Sequence, residues 1–321
     1  MRIADYTAAT DPGRKRRRNE DAYVAKPPLF AVADGMGGPR AGEVASGLAA
    51  AAVKAGEAAG GGEEQVVTLI QSANRSVYER SSEDASVSGM GTTMTVAVVD
   101  GRGVTIGHVG DSRAYLARGG TIEQLTEDHS LVSELVRAGK LSPEEAENHP
   151  QRSVITRALG TDPDVDVDTF TVNPEEGDVF LICSDGLTTM VGDETIAQVL
   201  DTNRGNLERA AKELVRLANK AGGEDNITVV AFELSDAPAE AAVEETVPMP
   251  AVSEPDIEDT LTEADRVPAV DTMVVPPAEA AAAGLQPEPE PSKRKRRWPF
   301  LVLLVLLLVL AAALIAWYLL R

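Results

Sequence analysis

Apolar residues along the chain fall into three patterns, each with its own structural meaning. Short apolar runs bounded by Gly and Asp occupy Leu29 to Ala33, Thr93 to Val99, Val104 to Val109, Arg113 to Ala117, Val179 to Cys183 and Asn226 to Phe232. Runs of that length, closed by turn residues, predict strands. The middle three are separated only by Asp100-Gly101-Arg102-Gly103 and Gly110-Asp111-Ser112, and read as an antiparallel meander. The second pattern has helical spacing: Leu207, Ala210, Ala211, Leu214, Val215 and Ala218 fall on one face. Gly42 to Ala59, rich in Ala, and Glu63 to Arg80 are compatible with helices. Ser142-Pro143-Glu144-Glu145 is a capping box with Pro at the first helical position. Together these elements predict one mixed α/β domain over residues 1–235, with no internal repeat.

The third pattern is a single uncharged span of 23 residues, Trp298 to Leu320, dominated by Leu, Val and Ala. As a helix it would reach ~34 Å, enough to cross a ~30 Å hydrocarbon core. Trp298 at one end and Trp317-Tyr318 at the other suit the two membrane interfaces. Between this predicted transmembrane helix and the domain, residues 236–292 keep neither a helical nor a strand period.

Charge sharpens the division. The chain of 321 residues has a formal net charge of −21, from 51 acids and 30 bases. Residues 236–292 hold 14 acids and one base, are rich in Ala and Pro, and lack aromatics. They read as a disordered linker with a root-mean-square span of roughly 40–45 Å or more. Lys293-Arg294-Lys295-Arg296-Arg297 form a basic juxtamembrane segment at 293–297, directly before the span. Such a flank stays on the cytoplasmic side and attracts anionic membrane lipid. The expected topology is therefore single-pass in the cell membrane, with residues 1–292 cytoplasmic. The excess of acids argues against nucleic acid as a partner. A lone cysteine, Cys183, excludes a disulfide scaffold, and three histidines make a histidine-built metal site a poor fit. What remains is carboxylate chemistry with hard cations.

The acids of interest share a setting. Asp34 and Asp185 each close an apolar strand and precede Gly; Asp111 follows a strand after one Gly; Asp225 stands just before a strand. If the strand after Asp225 runs antiparallel to the one before Asp185, these carboxylates meet at one edge. They would then repel and raise one another's pKa unless a divalent cation compensated them. With only oxygen donors on offer, that cation is Mn²⁺ or Mg²⁺ rather than zinc. Taken singly each Asp-Gly is ordinary turn chemistry; it is the combination that points to a site.

The order of motifs is Arg16-Arg17-Arg18-Asn19-Glu20-Asp21, Ala33-Asp34-Gly35-Met36-Gly37-Gly38, Gly91-Thr92-Thr93, Gly110-Asp111-Ser112-Arg113, Cys183-Ser184-Asp185-Gly186 and Glu224-Asp225-Asn226. In that order and spacing, over about residues 2–234, the chain resembles the metal-dependent protein phosphatases of the 2C type. It is most similar to a bacterial branch with a C-terminal membrane anchor that opposes transmembrane Ser/Thr kinases. The resemblance implies an α+β fold: a four-layer α-β-β-α sandwich of two antiparallel sheets flanked by helices. It implies that Asp34 bridges two metal ions. Asp185 and Asp225 would complete one ion's ligands, and Glu20 and the Gly35 carbonyl would serve the other. Asp111, with Asp185, would hold a third. Arg16 would clamp the phosphate, Asp21 would support the ligands from behind, and Asn226 would orient Asp225.

The chemistry suits these residue types. Two ions ~3.5–4 Å apart can lower the pKa of a bridging water, which then attacks phosphorus in line. Arg16 can grip the phosphoryl oxygens bidentately. No side-chain nucleophile is needed, and Cys183 reads as a core residue. Many eukaryotic members carry His after Asp-Gly as a general acid; Met36 stands here, which leaves that role open, with a metal-held water as the default. His108 reads as a core residue or a support behind the ligands rather than an acid. His129 and His149 bracket a segment, Glu127 to Arg157, that corresponds to the family's variable flap. The run Arg14 to Arg18 is more basic than the family pattern and could favour acidic or multiply phosphorylated substrates, or simply be solvated. The expected function is hydrolysis of phosphoserine and phosphothreonine in proteins, including Ser/Thr kinases. The alternative is a catalytically inactive phosphoprotein-binding scaffold tethered to the membrane.

Overall fold

The computed structural model describes residues 1–37, 41–56, 61–147 and 149–236. The expected linker beyond Asp236, the basic segment 293–297 and the span 298–320 lie outside the described residues, as does Gly38. Among the described residues no helix is long and apolar enough to cross a membrane.

The chain lays down β1 (Arg2–Asp11), β2 (Asp21–Lys26), β3 (Leu29–Met36), α1 (Ala41–Ala55) and α2 (Glu63–Glu83). There follow β4 (Gly91–Thr92), β5 (Met94–Asp100), β6 (Gly103–Val109), β7 (Arg113–Arg118) and β8 (Thr121–Gln124). The flap carries α3 (Leu131–Arg137) and α4 (Pro143–Glu147). Then come β9 (Asp168–Val172), β10 (Val179–Cys183), α5 (Asp185–Thr188), α6 (Asp193–Thr202), α7 (Leu207–Ala221) and β11 (Ile227–Ser235). The capping box forms as the sequence predicts: the Ser142 N–H donates to Glu145 Oε2 at 2.8 Å, and the Glu145 N–H to Ser142 Oγ at 3.2 Å.

Two antiparallel sheets result, ordered β1-β11-β10-β7-β8 and β2-β3-β5-β6-β9, with β4 pairing beside β3. Between them lies a core that takes Phe30, Val32 and Ile106 from one sheet and Leu116, Phe180, Ile182, Val230 and Phe232 from the other. Outside the second sheet, α1 and α2 bury Ala45, Ala49, Val53, Val66, Ile70 and Val77 against it. Outside the first, α5, α6 and α7 bury Leu187, Ile196, Leu200, Leu207 and Leu214. Central strands thus have an apolar partner on both faces, and β6 and β10 are buried at every residue. That double burial is why they read as unbroken apolar runs rather than as alternation.

The expected meander is only half present. β5 and β6 pair as a hairpin, but β7 belongs to the other sheet, between β10 and β8. The chain changes sheets at Gly110-Asp111-Ser112, where Gly110 has φ 111° and its α-carbon faces the Thr93 side chain with no room for a Cβ. A three-residue connection looks like a hairpin turn in sequence; here the positive φ sends it across the sandwich instead. Asp34 also differs from expectation. It sits inside β3, which continues to Met36, and pairs across the ladder with Asp21 of β2.

Phe232 of β11 stacks on Phe30 of the opposite sheet at 4.2 Å and on Phe180 of its own at 5.1 Å. Phe232→Ala should cost about 3–5 kcal/mol, through lost transfer energy and the cavity left between sheets. Urea unfolding of the wild type and the variant checks this; a loss under about 1 kcal/mol would mean the sheets close over the gap.

Candidate metal centre

One end of the sandwich opens as a cleft of about 680 Å³ whose lining includes Arg16, Glu20, Asp34, Gly35, Asp111, Asp185 and Asp225. The topology explains the convergence. β10 and β11 are antiparallel, with Cys183 opposite Val229, so the end of one strand meets the start of the other and Asp185 comes near Asp225. The β2–β3 ladder puts Asp21 opposite Asp34. The crossing from β6 to β7 delivers Asp111.

Asp34 is held by its main chain. Thr93 Oγ1 accepts the Asp34 N–H at 2.9 Å, while the Thr93 N–H and the Thr92 hydroxyl donate to the Asp34 carbonyl at 2.9 and 2.8 Å. This gives Gly91-Thr92-Thr93 a physical role: it clamps the strand that carries the central acid. Asp21 lies behind the cleft, where its Oδ2 accepts from Ser184 Oγ at 2.8 Å and Thr228 Oγ1 at 2.6 Å. Sequence reading passed over Ser184 and Thr228; the available signal was a hydroxyl residue placed at each of the two strand ends that meet here.

The electrostatics are dominated by burial. Asp34 is pushed well above the usual carboxylate range by desolvation, and then by the charges of Asp21, Asp185, Asp111 and Asp225. Desolvation is likewise the leading cause for Asp21, Asp111 and Asp185, all raised. Glu20, half-buried, is raised by the same cause, partly offset by Arg16. Carboxylates buried this close to one another favour a proton or a cation among their oxygens. Asp21 Oδ1 and Asp185 Oδ1 are buried without a donor. Glu20 and Gly35 converge on a common point: a Cβ at Gly42 would meet Glu20 Oε2 and stand 2.7 Å from the Gly35 carbonyl oxygen.

Among the described residues no three acids or imidazoles already form a finished ligand set. The donor chemistry nevertheless fits a hard divalent cation: oxygen only, several donors, orphaned buried oxygens, and raised pKa values that a cation would reverse.

Two other side chains depart from expectation. The Arg16 guanidinium donates to Asp225 Oδ2 at 2.6 Å, so the phosphate clamp and the metal acid are joined, and this bond raises the Arg16 pKa. The Asn226 side chain does not orient Asp225; only its backbone N–H reaches that carboxylate, at 2.9 Å. Its amide instead donates to the carbonyls of Pro12 and Arg18, at 3.0 and 2.8 Å, and accepts the Glu20 N–H at 2.7 Å. It ties down the whole loop that carries Arg16.

The flap reaches the cleft through Ser153 and Ile155. Its base is pinned by His129. The His129 N–H donates to the Gly110 carbonyl at 2.7 Å, and the Gly110 N–H donates to His129 Nδ1 at 3.0 Å. The other ring nitrogen therefore carries the proton and faces Asp168 Oδ2 at 3.1 Å. His108, buried, has its ring 4.8 Å from that of His129 and tilted by 36°; burial and that neighbour hold its pKa down to about 4, so it stays a neutral core residue. Cys183 is fully buried, which pushes its thiol up to about 12 and excludes a thiolate nucleophile at neutral pH.

Comparison with known proteins gives a concordant picture. Residues 16–227 match the family model described as "Protein phosphatase 2C". The chain is 43% identical over 236 residues to the serine/threonine phosphatase stp of Listeria innocua, covering 70% of this chain and 93% of that one. It is similar to the crystal structure of the PPM Ser-Thr phosphatase MsPP from Mycobacterium smegmatis in complex with cacodylate. That match has a TM-score of 0.67 at 38% identity and covers 73% of this chain and 99% of the other. It is also similar to the catalytic domain of the phosphatase PstP in complex with two manganese ions. Here the TM-score is 0.65 at 36% identity, with 72% and 98% covered.

The buried acids are protonated more readily in the fold than in the unfolded chain, so they make the metal-free protein lose stability as pH rises through neutrality. His108 and His129, both lowered, act the other way below about pH 6.5, but a metal ion leaves them untouched. The Tm gain on adding Mn²⁺ should therefore grow from about pH 5.5 to about pH 8. Gly42→Ala, which crowds Glu20 and the Gly35 carbonyl, should lose much of it. Thermal scans with Mn²⁺ and with chelator check both; a pH-independent gain would mean that the acids are not the binding groups.

Proposed function

Because the chain belongs to the protein phosphatase 2C family, we propose that its cleft hydrolyses phosphoserine and phosphothreonine in proteins by way of a metal-activated water. It is a protein serine/threonine phosphatase. The observation that carries the mechanistic reading is the set of oxygen donors lining one cleft, with an arginine at its edge. A dinuclear Mn²⁺ or Mg²⁺ centre, when bound, supplies activation of the attacking water and charge neutralisation at the phosphoryl group.

The chain's own residues do the rest. Asp34, at the centre of the acids, would be shared between two ions, with Asp185 and Asp225 on one side and Glu20 and the Gly35 carbonyl on the other. Asp111, with Asp185, is where a third would be held. Asp21 fixes this group from behind through Ser184 and Thr228. Arg16 binds the phosphoryl oxygens; its present hold on Asp225 keeps it at the cleft edge, where an incoming phosphate competes for it. Ser153 and Ile155 of the flap bound the cleft on one side. The complete acid set gives no support to an inactive scaffold.

We further propose that the protein is anchored in the cell membrane by Trp298 to Leu320, with the catalytic domain cytoplasmic and the basic flank on anionic lipid. Ser/Thr kinases in the same membrane would then be among its substrates. The support is the uncharged span, the five consecutive bases before it and the acidic linker.

Phosphate release from a phosphothreonine peptide should require Mn²⁺ or Mg²⁺ and stop in excess chelator. Asp34→Asn should lower kcat by orders of magnitude in a folded protein. Arg16→Ala should lower kcat/KM about 10²–10³-fold without weakening metal affinity, because removing it frees Asp225. Turnover undiminished by chelator would end the metal reading. Truncation after Ser292 should leave peptide turnover unchanged and move the protein out of the membrane fraction; retention there would end the anchor reading.

A further inference from the structure

We propose that Lys15 and Arg17 form a second anion subsite at the mouth of the cleft, so that this phosphatase prefers phosphorylated residues flanked by another phosphate or by carboxylates. The inference rests on the hydrolase reading above and names the substrate class of that same site.

In a chain of net charge −21, five consecutive cations, Arg14 to Arg18, stand beside the cleft, and Lys15 to Arg18 all line it. Two of those four are engaged: Arg16 with Asp225 at 2.6 Å and Arg18 with Glu43 at 3.2 Å. Among the described residues Lys15 and Arg17 have no ion-pair partner, and both are exposed.

Their backbone is not free to drift. Arg14 and Lys15 donate their N–H groups to the Gly223 carbonyl at 2.7 and 3.1 Å, and Asn226 holds the carbonyls of Pro12 and Arg18. Gly13, at φ 78°, packs on the Asp225 main chain where no Cβ fits. The loop is fastened at both ends through main-chain atoms, and the lysine and arginine side chains are left over. A flexible, solvated basic run would show no such fastening.

Long-range charge also favours the assignment. The floor of the cleft is acidic, so an anionic substrate approaching without the metal ions meets repulsion; the cationic mouth supplies the opposite field where the peptide enters. A second phosphate on a neighbouring residue carries a charge near −2 and three acceptor oxygens, which suits a lysine and an arginine lining the same cleft. A glutamate in the same place offers a weaker version of the same contact.

The test uses three phosphothreonine peptides alike except in flanking residues: neutral, glutamate-flanked, and carrying a second phosphoserine. The full chain and its Lys15→Ala/Arg17→Ala variant are compared with Mn²⁺ at low and at moderate salt. Wild type should favour the doubly phosphorylated peptide over the neutral one about tenfold in kcat/KM, and the glutamate peptide less, both margins shrinking with salt. The double variant should lose the preference while keeping its turnover of the neutral peptide and of p-nitrophenyl phosphate. Lys15→Arg/Arg17→Lys should retain it.

An unchanged preference in the double variant overturns the subsite. So does an equal loss on all three peptides, which would place these residues on the scissile phosphate itself. Peptide affinities measured with the Asp34→Asn protein separate the two readings. Charge-ranked binding without phosphate release by wild type keeps the subsite and removes the hydrolase, whereas release without charge ranking does the reverse.

Discussion

Carboxylates cannot be buried side by side and all keep their charge. That constraint organises one end of this protein. Asp34, Asp21, Asp185 and Asp111 are each lifted above their ordinary range, first by loss of water and then by neighbouring carboxylates, Asp225 among them. A carboxyl so lifted prefers its protonated form when no cation is near. A cation among the oxygens reverses the preference, and the surrounding structure holds the group ready for one. Threonines 92 and 93 pin the main chain of Asp34, Ser184 and Thr228 hold Asp21, and Gly42 leaves space next to Glu20.

The parts of the fold that were readable in sequence are those buried on both sides. β10 and β6 are apolar throughout because sheet and helix cover opposite faces, and β11 is legible for the same reason. The edge strands escaped notice. β1 mixes half-buried and exposed residues and is mostly Ala, Thr and Asp, and β8 is four residues of mixed character. The assignment of β7 to the wrong partner has a different cause. Sheet membership depends on the φ of one glycine, and nothing in Gly110-Asp111-Ser112 marks that turn as a crossing. The acids themselves were legible because a carboxylate next to glycine at a strand end recurs in order along the chain. Their supports were not, since serine and threonine are common and become informative only when two strand ends are seen to meet.

Histidine and asparagine turn out to have structural tasks here that charge-based reading does not anticipate. His129 exchanges two hydrogen bonds with Gly110, one residue from Asp111, while its far nitrogen faces Asp168, which also receives Arg157 at 2.6 Å. The flap is therefore rooted in the same turn that delivers an acid to the cleft. Asn226 has the corresponding position on the other side, linking the start of β11 to the loop before β2. Toward Gly110 and toward the loop before β2 these contacts are made with main-chain groups, so the side chains there carry no trace of them.

That last property bears on how this protein can change. Because Asn226 and Gly223 grip the Arg14–Arg18 loop by its peptide groups alone, the side chains at 15 and 17 can be exchanged without touching anything that shapes the loop. Asp34 and Asp21 below answer to other contacts, with threonines 92 and 93 and with Ser184 and Thr228. Selectivity and chemistry are thus written on separate layers of one short segment. A lineage, or a designer, can revise the first residue by residue while the second stays fixed.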